Sequence, residues 1–219
     1  MKIRDAISKR KESERKERVE RILNAGKKLF LKKGYLGTTM RDIALEAELS
    51  TGAIYVYFKG KDEIYGRVCE EAFHKLNELL GKAQKSNGTP LERLEAIARA
   101  YVGFYTDHED YFDIISFNDL GFKKVGLSEE LLKTIEGLSH QAISIINDTA
   151  VEGIKEGIIF GDIDSWELSI SIWAGIEGLI FIHKRGYFEN YGLNLDELVN
   201  SEIRLIMYGI IPRQGTIIG

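Results

Sequence analysis

The sequence predicts an all-α protein: a small N-terminal three-helix module followed by a larger helical domain. Three observations predict it. Apolar residues recur at three- and four-residue spacing along most of the chain, and no stretch alternates convincingly with the period of a strand. Helix-entry signals punctuate it at Thr39-x-x-Asp42, Ser50, Ser128, Asp164-x-x-Glu167 and Asn194-x-x-Glu197. Ser86-Asn87-Gly88-Thr89-Pro90 is the clearest internal break. No internal repeat is visible.

The elements follow in order. Residues 1–14, MKIRDAISKRKESE, read as a basic, flexible arm or as an extension of the first helix. That helix runs from about Glu14 to Lys33, with Val19, Ile22, Leu23, Gly26, Leu29 and Phe30 on one stripe. Lys27, Lys28, Lys32 and Lys33 gather towards its C-terminal end, where the helix dipole favours cations. Thr39 then caps a short helix whose stripe is Met40, Ile43, Ala44 and Ala47. Leu49 precedes Ser50, the cap of a second short helix from Thr51 to Tyr57. Ile54 and Phe58, four apart, face the core, which leaves Thr51, Tyr55 and Tyr57 pointing outward.

Lys61 opens a fourth helix carrying Ile64, Val68, Cys69, Ala72, Phe73, Leu76, Leu79 and Leu80. It is long enough to leave the first module and enter the next. Beyond the break, Leu91, Leu94, Ala98, Tyr101 and Tyr105 line one helix face, and residues 111–122 are rich in aromatics. Ser128 caps a long helix reaching about Glu156; the Asp164 box starts one that ends near Arg185, and Asn194 starts the last. The helix from Trp166 to Lys184 is apolar around most of its circumference, so it must be covered on more than one side. Ala174, Gly175 and Gly178 permit a second helix to approach it closely. In a chain of 219 residues, one side on its own core and the other on a second subunit is the economical arrangement.

Charge is polarised. The net of −4 conceals an N-terminal stretch, residues 1–67, with 17 Lys and Arg against 10 Asp and Glu, a net of +7; the remainder, with 13 against 24, is −11. A basic module on an acidic body suits a protein that presents one end to nucleic acid. Catalytic signals are poor. His108-Glu109-Asp110 lacks the second histidine, one helical turn on, that a zinc protease site needs. No phosphate-cradling Gly-rich loop or Gly-x-Ser-x-Gly elbow is present. The single cysteine, Cys69, excludes an intramolecular disulfide and a Cys-rich zinc site. The expectation is therefore no enzyme, no catalytic residue, no metal and no cofactor. The most apolar run, residues 168–182, reads as too short to cross a bilayer, and the charged N-terminus lacks a secretory signal, so a cytoplasmic protein is expected.

Gly34-Tyr35, Thr38-Thr39, Ile43-Ala44, Gly52-Ala53-Ile54-Tyr55-Val56-Tyr57-Phe58 and Lys61 together make a specific pattern. Over roughly residues 15–75 it resembles the TetR family of bacterial transcriptional regulators. Glu48 departs from it, standing where the family usually has the glycine of the turn, which places a non-glycine residue in an unfavourable backbone conformation.

The resemblance implies an arm (1–14), a helix-turn-helix DNA-binding domain (15–75, motif about 39–58), a C-terminal ligand-binding and dimerisation domain (76–211) and a tail (212–219). It implies that Thr39 and Tyr57 hold phosphates, with Lys61 beside them at a helix N-terminus. Arg41, Thr51 and Tyr55 are the candidates for base contacts, and Ser50, Gly52 and Ala53 complete the DNA-facing set by capping the helix and permitting close approach.

Family members generally dimerise through their last two helices, which points to Trp173, Ala174, Gly178, Phe181, Ile203, Ile206 and Met207 as the interface. An apolar effector cavity would draw on Phe73, Tyr101, Phe104, Tyr105, Phe112 and Trp173, with Phe117, Phe122 and Phe181 as further aromatics; ordinary core filling is the competing explanation. His140 or Glu177 would supply the polar group that orients the ligand.

The expected function is a homodimeric repressor that binds a palindromic operator in double-stranded DNA and is released by a small, largely apolar effector. The alternatives are a DNA-binding regulator whose C-terminal domain serves only dimerisation or a protein partner and, last, an enzyme.

Overall fold

The computed structural model describes residues 2–116 and 125–212, with side chains from Ile7 onward; Phe117 and Phe122 lie outside the described residues. The described residues form nine α-helices and no strand. They are α1 (Lys2–Gly37), α2 (Met40–Glu46), α3 (Thr51–Tyr55), α4 (Lys61–Gln84), α5 (Pro90–Asp107), α6 (Glu109–Ser116), α7 (Glu129–Lys155), α8 (Ser165–Lys184) and α9 (Leu195–Ile210). A short 3-10 turn at Phe188–Tyr191 closes on Gly192, whose φ of 64° favours a residue without a Cβ.

The chain divides into two compact units: residues 1–73 with 109–137, and residues 74–108 with 138–219. The return of 109–137 to the first unit had no signal in the sequence. Its physical cause is α6, which packs on α1. Lys27 pairs with Asp110 at 2.5 Å and sits over the Tyr111 ring, and the buried Tyr65 hydroxyl donates to the Ile114 carbonyl at 3.1 Å. Gly66 on α4 lets the side chains of Leu127 and Leu131 approach so closely that a Cβ there would lie 2.4 Å from Leu131.

α1 begins at Lys2, so the stretch read as an arm extends the first helix. Its regular turns end at Gly34, where φ is 71° and the axis kinks. Ile22, Leu23, Leu29 and Phe30 are buried as their spacing predicts, against a core that includes Ile43, Ile54, Ile64 and Val68.

In the second unit, α8 packs on α5 and α9, burying Ile172, Ile176 and Ile180 with Leu94, Ile97, Val199 and Ile203. Thr89 and Glu92 form a reciprocal cap for α5, with Pro90 at its first turn. The caps read from sequence also form: Asp164 accepts the backbone N–H groups of Trp166 and Glu167, Asn194 accepts that of Glu197, and Ser128 that of Leu131. α8 leaves Trp166, Ile170, Trp173, Phe181 and Ile182 exposed. At 20 residues it reaches, by length and composition, the dimension of a bilayer crossing, which corrects the expectation from the shorter apolar run. Its packed side and the Glu177 carboxylate, bonded to Tyr101, are features of a helix inside a protein.

Candidate nucleic-acid interface

The first unit presents two short helices whose entry and exit are chemically defined. Thr38 and Thr39 do different work. Thr38 is fully buried and its hydroxyl meets the carbonyls of Leu29 and Gly34 at 3.2 and 2.8 Å, closing the end of α1. Thr39 is exposed and caps α2: its hydroxyl accepts the Asp42 N–H at 3.1 Å and donates to Asp42 Oδ2 at 2.6 Å. Those hydrogen bonds first, and then Lys33 at 3.1 Å, pull the Asp42 carboxyl down to about 2. Lys28 pairs with Glu46, so α2 is tied to α1 at both ends.

The turn into α3 is a left-handed helix stop. The Leu49 N–H donates to the Ala44 carbonyl at 2.9 Å and the Glu48 N–H to that of Leu45 at 3.2 Å, the two bonds of a Schellman ending. This ending needs a positive φ at its centre. Glu48 adopts 55°, the single non-glycine residue with positive φ among the described residues, at the position where the sequence departs from the family pattern.

Ser50 accepts the Ala53 N–H at 3.1 Å and starts α3, which ends at Tyr55 rather than Tyr57. Ile54 and Phe58 are buried as predicted. Thr39, Arg41, Ser50, Gly52 and Tyr55 are exposed; Thr51, Ala53 and Tyr57 are half-buried. Among the described residues nothing lies within 4 Å of a Cβ built on Gly52, so this part of the helix backbone is open to a ligand. Val56 is not among the residues nominated from the sequence, though it is 75% exposed at the end of α3; its place between Ile54 and Phe58, off the buried stripe, was the available signal.

Lys61 has a more specific place than the sequence implies. Its ammonium donates to the carbonyls of Tyr35 and Thr38, both at 2.9 Å, and sits 4.4 Å from the centre of the Tyr35 ring. The Tyr35 hydroxyl donates to Asp62; burial first, and then that carboxylate, push the phenol far above its ordinary pKa, so it remains a donor. Two of the three donors of Lys61 therefore hold the segment between α1 and α2, which makes it a positioning residue for Thr39 as well as a cation.

The family model described as "Bacterial regulatory proteins, tetR family" matches residues 22–68, the span of these elements. The chain belongs to the TetR family. It is 32% identical over 182 residues to the uncharacterized HTH-type transcriptional regulator YerO of Bacillus subtilis, covering 82% of this chain and 59% of that protein. It is 24% identical over 144 residues to the HTH-type transcriptional repressor NicS of Pseudomonas putida, covering 66% of each. The chain thus spans less than two thirds of either relative's length in these matches. In fold it is similar to FadR of Bacillus subtilis, solved in complex with stearoyl-CoA, with a TM-score of 0.70 over 87% of this chain and 98% of that one at 21% identity.

In this TetR-family chain the expected effector residues separate. Tyr101, Trp173 and Glu177 come together: the Tyr101 hydroxyl donates to the Glu177 carboxylate and lies 3.3 Å from the Trp173 ring N–H. Tyr105 is one helical turn further along α5 and bonds through its hydroxyl to His183 Nδ1 at 3.0 Å, a partner that no local spacing signals. Phe104 is fully buried in the second unit, and Phe73 and Phe112 are buried in the first. His140 lies apart from that group. It is exposed on α7, its ring 5.3 Å from that of Trp166 and its Nδ1 3.1 Å from Ser144, because its position falls off the buried stripe of Ala142, Ile145 and Ile146.

Ile203 is 3% exposed and lines a cleft of about 660 Å³ together with Arg99, Met207 and Tyr208. Trp173, Ala174 and Phe181 are exposed, while Gly178, Ile206 and Met207 are half-buried.

Proposed function

We propose that the protein is a dimeric transcriptional repressor that reads a two-fold symmetric site in double-stranded DNA through α3 and is released by a small, largely apolar effector. One observation supports this above the others. A capped, open-faced α3 carries exposed Gly52 and Tyr55 beside exposed Arg41 and Thr39, on a stretch whose net charge is +7. Small residues let a helix backbone approach base edges, hydroxyls and guanidinium groups bond bases or phosphates, and the excess cations supply affinity by releasing counterions. Arg41, Thr51 and Tyr55 read bases, Val56 adds an apolar contact at the end of the helix, and Tyr57 and Lys59 meet phosphates. Such a repressor works in the cytoplasm, where its DNA is.

The exposed face of α8 supports the dimer. Trp166, Ile170, Trp173, Phe181 and Ile182, with Leu205 and Tyr208 on α9, are large apolar side chains left exposed, and exposed apolar side chains gathered into one patch mark interaction surfaces. The Tyr101, Trp173 and Glu177 group supports an effector that is mainly apolar and carries one hydrogen-bonding group, in keeping with the acyl-CoA held by FadR of Bacillus subtilis. Anisotropy titration of a fluorescent duplex selected from random DNA tests both halves, with stearoyl-CoA as the first effector. Binding that stearoyl-CoA reverses is expected. Binding that no apolar ligand reverses would retain the DNA reading and remove the effector.

A further inference from the structure

We infer that the first turns of α1 form a second DNA-binding element, which lies along the duplex beside the site read by α3 and grips its phosphates without reading sequence. The inference rests on the DNA-binding reading above and extends it to residues 7–18. Every residue from Ile7 to Arg18 is exposed, and from Ser8 to Arg18 there is no apolar side chain. A helix without an apolar face has nothing to offer a protein groove or a bilayer interior. What it offers is charge: six Lys and Arg against three Glu between Ser8 and Arg18.

The acids are engaged within the helix. Glu14 pairs with Arg10 at 2.9 Å, Glu12 lies 3.9 Å from Lys16, and Glu17 accepts from Ser13 at 3.4 Å. Lys11, Arg15 and Arg18 instead recur at the spacing of one helix side, and none of the three forms an ion pair among the described residues. That side is continued along the helix by Ile22 and Leu29, the buried residues by which α1 packs on its own unit. The helix therefore overhangs its unit with Lys11, Arg15 and Arg18 on the inward side, flanked by Glu12 and Glu14, which face Lys16 and Arg10, and with a net excess of three cations. At 1.5 Å per residue the exposed stretch is about 18 Å long, the length of roughly five base pairs. A linear polyanion running past the unit is the partner that matches such a ledge in sign, shape and length.

The test uses the full chain and a duplex selected from random DNA, held either in about 40 base pairs or trimmed to the core site. The triple variant Lys11→Gln, Arg15→Gln, Arg18→Gln is expected to keep its helical signal and its sequence preference. On the long duplex its slope of log K against log[KCl] should fall by about two to three units per protomer. On the trimmed duplex the difference should shrink, and the charge-conserving variant Lys11→Arg, Arg15→Lys, Arg18→Lys should restore the slope.

Identical salt slopes for the triple variant and the unaltered protein on the long duplex would overturn the inference and leave the α3 reading intact. A change in sedimentation with no change in slope would also overturn it, by making the stripe a protein contact. If the unaltered protein binds no selected duplex, both readings fall together.

Discussion

Glu48 is the residue whose strain is most directly measurable. A left-handed conformation costs an ordinary side chain about 1–2 kcal/mol, whereas glycine adopts it freely but loses more entropy on folding. Glu48→Gly is therefore expected to stabilise the protein by about 1 kcal/mol, read as a higher urea midpoint at unchanged slope. An unchanged or lower midpoint would mean the Schellman ending is relaxed with glutamate in place. Asp42 tests the cap. Its folded pKa of about 2 lies below the ordinary carboxylate value, so its contribution is present above about pH 4 and lost as pH falls through about 2. Asp42→Asn should flatten the acid limb of stability over that window; an unaltered limb would show that the Thr39 and Lys33 bonds do not act in solution. These features were legible to different degrees. The Thr39 box could be read from residue type and spacing alone, and Glu48 in place of a glycine from the resemblance to the family pattern. The two carbonyl bonds of Lys61 could not, because they close between residues 26 and 23 apart in the chain.

At the level of elements, the caps and stripes predicted the helices, and the errors lie where tertiary contacts decide. α3 is shorter than expected because the chain tightens after Tyr55, with the Tyr57 N–H bonded to the Ile54 carbonyl at 2.8 Å. Periodicity fixes a helix side but not which partner that side meets, so it did not foresee a buried Ile203 or an exposed His140. The exposed side of α3 gives the sharpest test of recognition. Thr51→Ala and Tyr55→Ala should each alter preference at one contacted base pair by about 1–3 kcal/mol while leaving salt dependence nearly intact. Unaltered site logos for both variants would remove α3 as the reading element. For α8 the informative position is Gly178. Nothing among the described residues lies within 4 Å of a Cβ there, so a leucine meets no obstacle within the subunit. Gly178→Leu is expected to yield monomer or aggregate with an unchanged helical signal. A variant that sediments like the unaltered protein would place the subunit contact elsewhere.

Across the whole molecule, the basic stretch, the open-faced α3 and the uncovered side of α8 combine into one requirement. In the proposed dimer each copy would supply one reading helix, so two half-sites related by a two-fold axis would be read. Pairing also raises affinity, because the second half-site binds at the high effective concentration set by the first. The division of the chain into units was only partly legible. The fourth helix reads as long enough to leave the first module, but the assignment of residues 109–137 to the first unit depends on Lys27, Asp110 and Tyr65 meeting across distant segments. The most direct test of the central claim is selection of bound sites from random duplex DNA by the unaltered protein, with affinity then followed against KCl. The expected product is a two-fold symmetric motif whose half-sites lie about 34–36 Å apart, or a multiple of that, bound more weakly as salt rises. Recovery of no motif, or of binding indifferent to salt, would contradict it.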